Sequence, residues 1–282
     1  MLSYRHIFHA GNHADMLKHM VLCVLLRDLN KKDKPYSVID THSGAGLYKL
    51  SAVNAQKTGE YKSGIEKIRF NERLQKLVPE YFSVLNKLNS EESQDLYPGS
   101  PYIEQSLIRQ DDKLTLIDLH PTEAEALKSN FGRDRRINIQ NRDGLQAMSA
   151  LLPPTPRRGM AFIDPAYEEK NDYYELVKAV KAGLQRWSTG IYAVWYPVLA
   201  KLKDHSKNLA QDLKRLNLPL LQAELQVEEQ KEDFGMCGSG MLILNYPFGI
   251  DAVISDILDE LYNSLADKKY GSAKLKILTP RP

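Results

Sequence analysis

Short apolar segments alternate with longer amphipathic segments along most of this chain. The first amphipathic segment runs from Asp15 to Leu29, where apolar residues recur at helical spacing until a polar stretch with a proline ends the pattern. Short apolar segments predict seven strands, over residues 36–40, 114–118, 137–140, 160–164, 190–195, 220–227 and 241–245. Helical patterns between or after them cover residues 122–131, 144–152, 173–187, 198–216 and 252–265. The alternation predicts an α/β fold with a doubly wound, mostly parallel, seven-stranded sheet.

One stretch departs from this alternation. Residues 47–97 contain two helical patterns, Gly64 to Phe70 and Glu72 to Leu88, followed by a polar linker. A rigid loop with two prolines and a further helix then lead back to the alternating pattern. We therefore expect one domain over residues 1–282, with a small helical insertion subdomain at 47–97.

The composition is that of an ordinary globular protein, with 43% hydrophobic and 26% charged residues. No window approaches the roughly 18 uninterrupted apolar residues of a membrane span, and the N-terminal residues lack the apolar core of a signal peptide. The two cysteines, Cys23 and Cys237, lie far apart and indicate a reducing compartment. These features favour a cytoplasmic protein with no membrane partner. The net charge of +2 does not by itself indicate a nucleic-acid binder, but it allows a local basic patch.

Acidic residues follow the first four predicted strands of the alternating pattern. They are Asp40, Asp118, Asp143 and Asp164. Ligands of a doubly wound sheet bind outside the carboxyl ends of its strands, so we expect these residues near one binding site. Asp118 suits the hydroxyls of a ribose, and Asp143 suits the amino group of an adenine that approaches over Gly144. For Asp118 and Asp143 a helix N-cap is an equally open interpretation.

The glycine turn after the first strand has the sequence Ser43-Gly44-Ala45-Gly46. It lacks the G-x-G-x-x-G spacing of dinucleotide-binding turns, which disfavours a nicotinamide oxidoreductase, and it lacks the P-loop pattern. A glycine turn without a phosphate signature suits a ligand without phosphate, such as S-adenosylmethionine. A plain turn that needs small residues is the alternative.

The sequence Asp164-Pro165-Ala166-Tyr167 follows the fourth strand and resembles the [D/N]-P-P-[Y/F/W] motif of amino-group methyltransferases that act on nucleobases. The lone pair of an adenine amino nitrogen is delocalised into the ring, so the nitrogen is a poor nucleophile. The Asp164 carboxylate and the Pro165 carbonyl can bind its two hydrogens and expose the lone pair, and Asp164 can then accept the proton. Tyr167 can stack on the extruded base.

Five of the seven histidines lie within the first 42 residues. The spacing His6-x2-His9-x3-His13 is conceivable for zinc, but no cysteine lies near these three residues and no H-E-x-x-H pattern occurs, so we expect no metal site. His19 lies off the apolar stripe of its predicted helix. We therefore expect it to face solvent or a ligand and not the packed core.

Six segments of the chain together resemble the RlmJ family of bacterial large-subunit (23S) ribosomal RNA adenine-N6 methyltransferases. They are YRHIFHAGNHADMLKH at 4–19, DTHSGAG at 40–46, YPGSP at 97–101, LHP at 119–121, DG at 143–144 and GIYAVWYP at 190–197. The similarity covers essentially the whole chain in order. The N-terminal segment is long and specific, whereas the Asp-Gly pair alone is not.

This resemblance implies a Rossmann-like, class I S-adenosylmethionine-dependent methyltransferase with a small helical insertion, acting as a monomer. It implies catalysis by Asp164 and places Tyr4 and His6 at the substrate entrance. It also implies that S-adenosylmethionine binds to His19, His42, Ser100, Asp118, Asp143 and Gly144. Two positions depart from the family pattern, because Ala166 replaces a proline and Asp118 replaces a glutamate. We expect weaker preorganisation at the first and a longer or water-mediated ribose contact at the second.

Basic residues fit a rim that faces the RNA, with ordinary solvated surface as the alternative for each. They are Arg5, Lys18, Arg133, Arg135, Arg136, Arg157 and Arg158. The expected partner is 23S ribosomal RNA, free of protein or in an early assembly intermediate. Two alternatives stay open: a DNA adenine-N6 methyltransferase, because the amine chemistry is the same, and a non-catalytic RNA-binding protein, because of Ala166.

Overall fold

The computed structural model describes residues 5–90 and 93–281. The strands are β1 Ser37–Asp40, β2 Leu47–Lys49, β3 Leu96–Pro98, β4 Lys113–Asp118, β5 Ile137–Asn141, β6 Gly159–Ile163, β7 Ile191–Leu199, β8 Leu220–Gln226, β9 Met236–Leu244 and β10 Ser272–Thr279. The α-helices are α1 His13–Asn30, α2 Val53–Thr58, α3 Ile65–Ile68, α4 Glu72–Leu77, α5 Pro79–Leu88, α6 Ser100–Leu107, α7 Pro121–Phe131, α8 Gly144–Leu151, α9 Lys170–Arg186, α10 Ser206–Lys214 and α11 Ile250–Leu265.

The main sheet of the described residues has the strand order β10-β8-β9-β7-β6-β1-β4-β5. Five neighbouring strands are parallel, namely β7, β6, β1, β4 and β5. The other three, β9, β8 and β10, are antiparallel to their neighbours. This arrangement confirms the predicted α/β class with a mostly parallel sheet. The predicted number of seven strands is wrong, because Ser272–Thr279 adds an eighth strand at the edge. Most of its side chains are at least partly exposed, so it lacks the apolar pattern of a buried strand.

Two predicted boundaries on the antiparallel side are also wrong. The predicted helix 198–216 begins only at Ser206, because β7 continues to Leu199. The predicted strand 241–245 begins earlier, at Met236, and runs through Gly238 and Gly240 as a fully paired strand. Glycine is depleted in strands, so this first half carries no sequence signal for a strand.

Helix α1 crosses the interior of the molecule. Its first turn is capped by Asn12, whose side-chain oxygen accepts hydrogen bonds from the backbone N–H groups of Ala14 and Asp15. Every residue from Ala14 to Leu26 is buried, because the helix packs against β9, α6, α5 and α11. Helix α1 therefore places polar residues near its N-terminus in the interior of the molecule, next to the edge of the sheet.

The predicted insertion at 47–97 contains the helices α2 to α5 and a short 3₁₀ helix, Glu60–Ser63. It also contains a two-stranded antiparallel sheet that the sequence did not indicate, in which Tyr48 of β2 lies opposite Tyr97 of β3. Helices of this region pack on α1 and α11. Whether the region behaves as a separate subdomain stays a prediction. In the described part of the chain, no helix has the length and apolar character needed to cross a membrane.

Candidate active site

A cavity of about 320 Å³ lies at the carboxyl ends of the parallel strands. Strand β1 pairs with β4 on one side and β6 on the other, so the loops after these strands meet at one edge of the sheet. All six residues that the resemblance assigns to the cofactor line this cavity: His19, His42, Ser100, Asp118, Asp143 and Gly144. Asp164 and Pro165 lie in the same wall. The fold thus assembles residues that are up to 146 positions apart in the chain.

The acidic residues that follow the four strands have different roles. Asp40 is fully buried, and its carboxylate accepts hydrogen bonds from the Ser100 hydroxyl at 2.7 Å and the His42 backbone N–H at 3.2 Å. Burial raises the pKa of Asp40 to about 7, against the lowering effect of these two hydrogen bonds. Asp40 therefore supports the cavity wall from the protein interior, whereas Asp118, Asp143 and Asp164 line the cavity.

Asp118 fastens the glycine turn to the sheet. Its two carboxylate oxygens accept from the backbone N–H groups of Gly44 and His120, each at 2.8 Å. Burial raises the pKa of Asp118. The interpretation of Asp118 as the N-cap of the following helix is wrong, because His120 caps α7. Asp143, in contrast, both caps α8, by accepting from Gln146 N–H at 2.9 Å, and lines the cavity.

Gly144 has a structural reason to be glycine that differs from the predicted one. A Cβ atom at this position would lie 1.9 Å from the backbone oxygen of Thr41. The missing side chain therefore allows the start of α8 to approach the loop after β1, quite apart from any approach of an adenine. Gly144 still lines the cavity.

Asp164 is paired with Lys18. The Lys18 ammonium lies 2.6 Å from Asp164 Oδ2 and 3.0 Å from Asp15 Oδ1. Only 4% of Lys18 is exposed, so it lies neither on an exposed basic rim nor on ordinary solvated surface. Lys18 does line the cavity, and its contact with the substrate stays a prediction. Burial alone would lower the pKa of this ammonium, but Asp15 and Asp164 raise it above its usual value. Lys18 therefore carries a permanent positive charge against the carboxylate that the motif predicts to be catalytic.

Asp15 organises this end of α1 and was not among the predicted site residues. Its Oδ2 atom accepts from the Gly11 backbone N–H and lies 2.9 Å from His6 Nε2, while Oδ1 faces Lys18. Burial would raise the pKa of Asp15, but the charges of His6 and Lys18 help to hold it well below its usual value. The sequence does contain a signal for this cluster, because Lys18 and His19 follow Asp15 by three and four residues and so lie on the same helix face.

His19 is placed differently from the expectation. His19 is 1% exposed and its Nδ1 atom hydrogen-bonds to the Tyr97 hydroxyl at 2.8 Å, so the expectation that it avoids the packed interior is wrong. Burial lowers the pKa of His19 to about 3, which keeps the imidazole neutral. His6 lines the cavity, whereas Tyr4 lies outside the described residues.

Tyr167 is largely packed into the protein. It is 6% exposed, its φ is 51°, and its hydroxyl donates a hydrogen bond to the Trp195 carbonyl at 2.5 Å. Its ring centroid lies 4.5 Å from that of Tyr173 and 6.0 Å from that of Trp195. Little of the ring remains open for a base, and the predicted stacking stays a prediction. The contacts show that Tyr167 anchors the motif against β7.

A second cavity, of about 860 Å³, adjoins the first. Lys18, Asp164 and Ala166 line both cavities, and Tyr167 and Trp195 line the second. Asp164 and its ion-pair partner therefore stand at the junction between two spaces. This arrangement allows two molecules to meet at the Asp164 carboxylate, one from each side.

Three of the seven basic residues predicted to form an RNA-facing rim are held by other groups of the protein. Arg136 pairs with Asp134 and donates to the carbonyl of Ile108, and Arg158 donates to the carbonyl of Lys34. Lys18, the third, is buried. Arg5 lies near the cavity and faces Glu123 at 3.5 Å. The remaining residues, Arg133, Arg135 and Arg157, are exposed.

Known proteins are similar to this chain in both sequence and fold. The family model described as Ribosomal RNA large subunit methyltransferase D, RlmJ matches residues 33–279. The chain is 41% identical to Ribosomal RNA large subunit methyltransferase J of Escherichia coli K12 and 40% identical to the protein of the same name from Haemophilus influenzae, in each case over 99% of this chain and 100% of the other. A crystal structure of a Legionella pneumophila protein matches with a TM-score of 0.87 at 34% identity, over 95% of this chain and 98% of that one.

The sheet, with its ligand cavity at the carboxyl ends of the parallel strands, defines a Rossmann-like methyltransferase of class I. The match extends over most of the chain and includes every strand of the main sheet. The chain belongs to the RlmJ family of ribosomal RNA large subunit methyltransferases. The resemblance found in the sequence is thereby confirmed.

Proposed function

We propose that this protein transfers the methyl group of S-adenosylmethionine to the exocyclic N6 nitrogen of an adenine in 23S ribosomal RNA. The observation that carries the proposal is the position of Asp164 at the junction of the two cavities. The smaller cavity takes the methyl donor and the larger one takes the adenine. Membership in the RlmJ family supports the choice of ribosomal RNA as the substrate.

The residues of the smaller cavity fit S-adenosylmethionine. A carboxylate oxygen has more acceptor capacity than one hydrogen bond uses, so Asp118 can bind ribose hydroxyls while it holds Gly44 and His120. The Gly44 N–H is already bonded to Asp118, which removes one of the free amides that a phosphate-binding turn requires. The donor set therefore suits a nucleoside without phosphate, held by His19, His42, Ser100, Asp118, Asp143 and Gly144. When bound, S-adenosylmethionine supplies an electrophilic methyl group on a good leaving group.

The residues at the junction prepare the amine. Asp164 and the Pro165 carbonyl accept the two amine hydrogens, which turns the nitrogen lone pair out of conjugation with the ring. Lys18 holds the Asp164 carboxylate in one orientation through the 2.6 Å ion pair. Transfer of the methyl group would form the C–N bond as the C–S bond breaks, with the electron pair left on sulfur, and Asp164 would take the proton that the nitrogen loses. Much of the acceleration comes from positioning, since the two reactants meet at a fixed carboxylate.

The proposal assigns the remaining predicted residues to the substrate side. Tyr167 packs the motif against β7 and stacks on the base with the part of its ring that lines the larger cavity, and Tyr4 and His6 contact the RNA at the entrance. The Ala166 side chain lies between the cavities, where the family motif has a proline. The substrate is 23S RNA free of protein or in an early assembly intermediate, and the acting unit is a monomer.

The test is methyl transfer from labelled S-adenosylmethionine to protein-free ribosomal RNA. For Asp164→Asn we expect kcat to fall by roughly 10²- to 10⁴-fold, because the proton acceptor is lost. Calorimetry should still detect binding of the donor, since the six residues assigned to the donor are unchanged. Asp111→Asn is the control, because Asp111 is exposed and lines neither cavity. Full activity of Asp164→Asn, or a labelled product other than N6-methyladenine, would refute the proposal.

A further inference from the structure

The larger cavity extends well beyond the junction at Asp164. It continues as a groove between the end of α11 and the loop that connects β8 to β9, residues 227–235. Six residues give this part of the groove apolar surface: Leu199, Val227, Phe234, Met236, Leu265 and Ala266. A single adenine held at Asp164 leaves this end of the groove open. The geometry therefore provides space for a second group of the substrate.

Phe234 is the most unusual of these six residues. Its side chain is 77% exposed although it lines a cavity. The backbone around it is held in place, because Ala200 N–H donates to the Gly235 carbonyl at 2.8 Å and Leu202 N–H donates to the Glu232 carbonyl at 3.1 Å. An exposed aromatic ring on a fixed backbone beside a nucleic-acid site is a platform on which an unpaired base can stack.

The charges at this end of the groove distinguish a base from the sugar-phosphate backbone. Glu228 and Asp267 line the groove near Phe234, and both are exposed. Carboxylates at this position repel a phosphate, whereas they accept hydrogen bonds from the amino groups of a neutral base. The chemistry of the wall therefore favours a flat, uncharged ring.

We infer that the far end of the groove is a second base subsite, in which an unpaired nucleobase of the RNA substrate stacks on Phe234 while the target adenine lies at Asp164. The inference rests on the proposed function and adds a requirement to it. The substrate must present two bases outside a duplex, the target and a nearby one. The preferred substrate is therefore a single-stranded, looped or bulged segment.

The experiment combines variants of Phe234 with a series of RNA oligonucleotides that each contain the target adenine and one abasic nucleotide at a neighbouring position. On intact RNA, Phe234→Ala should raise KM roughly tenfold or more, which is the range measured for loss of a base–aromatic stack, with little change in kcat. Phe234→Trp should retain the wild-type KM. Phe248→Ala is the matched control, because Phe248 is 85% exposed and lines neither cavity.

The abasic series decides whether the ring contacts a base. At one position the abasic RNA should raise KM for the wild-type protein and cancel the difference between wild type and Phe234→Ala. An equal effect of Phe234→Ala at every abasic position, or a KM equal to that of Phe248→Ala, would overturn the inference while leaving adenine methylation intact. Absence of methyl transfer by the wild-type protein would instead overturn the proposed function, and the subsite with it.

Discussion

Lys18 shows how strongly a single residue depends on its surroundings. As part of the sequence it is one more basic residue near a histidine-rich N-terminus. In the structure its ammonium lies between two carboxylates, those of Asp15 and Asp164, and 5.6 Å from the centroid of the Trp195 ring. A buried charge requires such partners, since an isolated one is costly. Lys18 therefore supports both the fold and the orientation of the proposed catalytic carboxylate.

Replacing Lys18 by methionine keeps the length of the side chain and removes its charge. We expect the free energy of unfolding to fall by roughly 3–5 kcal/mol, because the buried carboxylate of Asp15 and the partly buried carboxylate of Asp164 lose their counter-ion. We also expect kcat to fall by up to roughly 10²-fold, which is the cost of a small misplacement of a reacting group. Urea unfolding and single-turnover methylation measure the two effects.

A surface lysine provides the control for this variant. Lys178 pairs with Glu175 at 3.1 Å, but both side chains are largely exposed, so Lys178→Met should change stability by at most about 1 kcal/mol. If Lys18→Met were no more harmful than Lys178→Met, the buried ion pair would have no role in stability or catalysis.

Among the secondary-structure elements, α1 has the largest influence on the site. It carries Asp15, Lys18 and His19, and its position is set by the cap at Asn12 and by packing on the sheet and on α11. The Asn12 side chain also donates to Glu60 at 2.9 Å and so joins the helix start to the insertion. The start of one helix therefore links the core, the insertion and the proposed active site.

The variant Asn12→Ala removes this cap, and Asn71→Ala removes the corresponding cap of α4. Each loses a side-chain oxygen that accepts from helix N–H groups, and an Nδ2 group that donates to a glutamate. Each should destabilise the protein by about 1 kcal/mol, or roughly 2–4 °C in Tm. Only Asn12→Ala should also lower kcat at a temperature where both variants are folded. Equal activities of the two variants would show that the start of α1 does not position the site.

Burial in the folded molecule favours the protonated form of Asp40. The unfolded chain releases this proton near the ordinary pKa of 3.8, whereas burial raises the pKa of the folded state to about 7. The stabilisation that the bound proton provides is therefore complete below about pH 4 and is lost as the pH rises towards 7. Stability and the architecture of the cavity wall are coupled at this residue, because Asp40 holds Ser100 and His42.

Asp40→Asn tests this coupling, since an amide does not titrate in this range. The free energy of unfolding of the wild type minus that of the variant should decrease steadily from pH 4 to about pH 7 and stay constant above. Urea titrations across this range, without added ligand, measure the difference. Asp111→Asn, the same substitution at an exposed position, is the control. Parallel profiles for wild type and Asp40→Asn would contradict a raised pKa.

The sequence by itself determined the features that depend on local pattern. Alternating apolar strands and amphipathic helices indicate the α/β class, because side-chain periodicity is a short-range property. The order of the strands then assigns Asp118, Asp143 and Asp164 to one sheet edge, since parallel strands end on the same side. Six predicted cofactor residues accordingly line one cavity.

The tertiary structure alone decided which polar residues are buried together. Lys18 and Asp164 are 146 residues apart, and nothing near either residue indicates that they pair at 2.6 Å. The exposed edge strand β10, the packed ring of Tyr167 and the groove beside Phe234 likewise arise from contacts between distant segments. The physical reason is that burial and ion pairing depend on what surrounds a residue in space, whereas local sequence specifies only which element it belongs to.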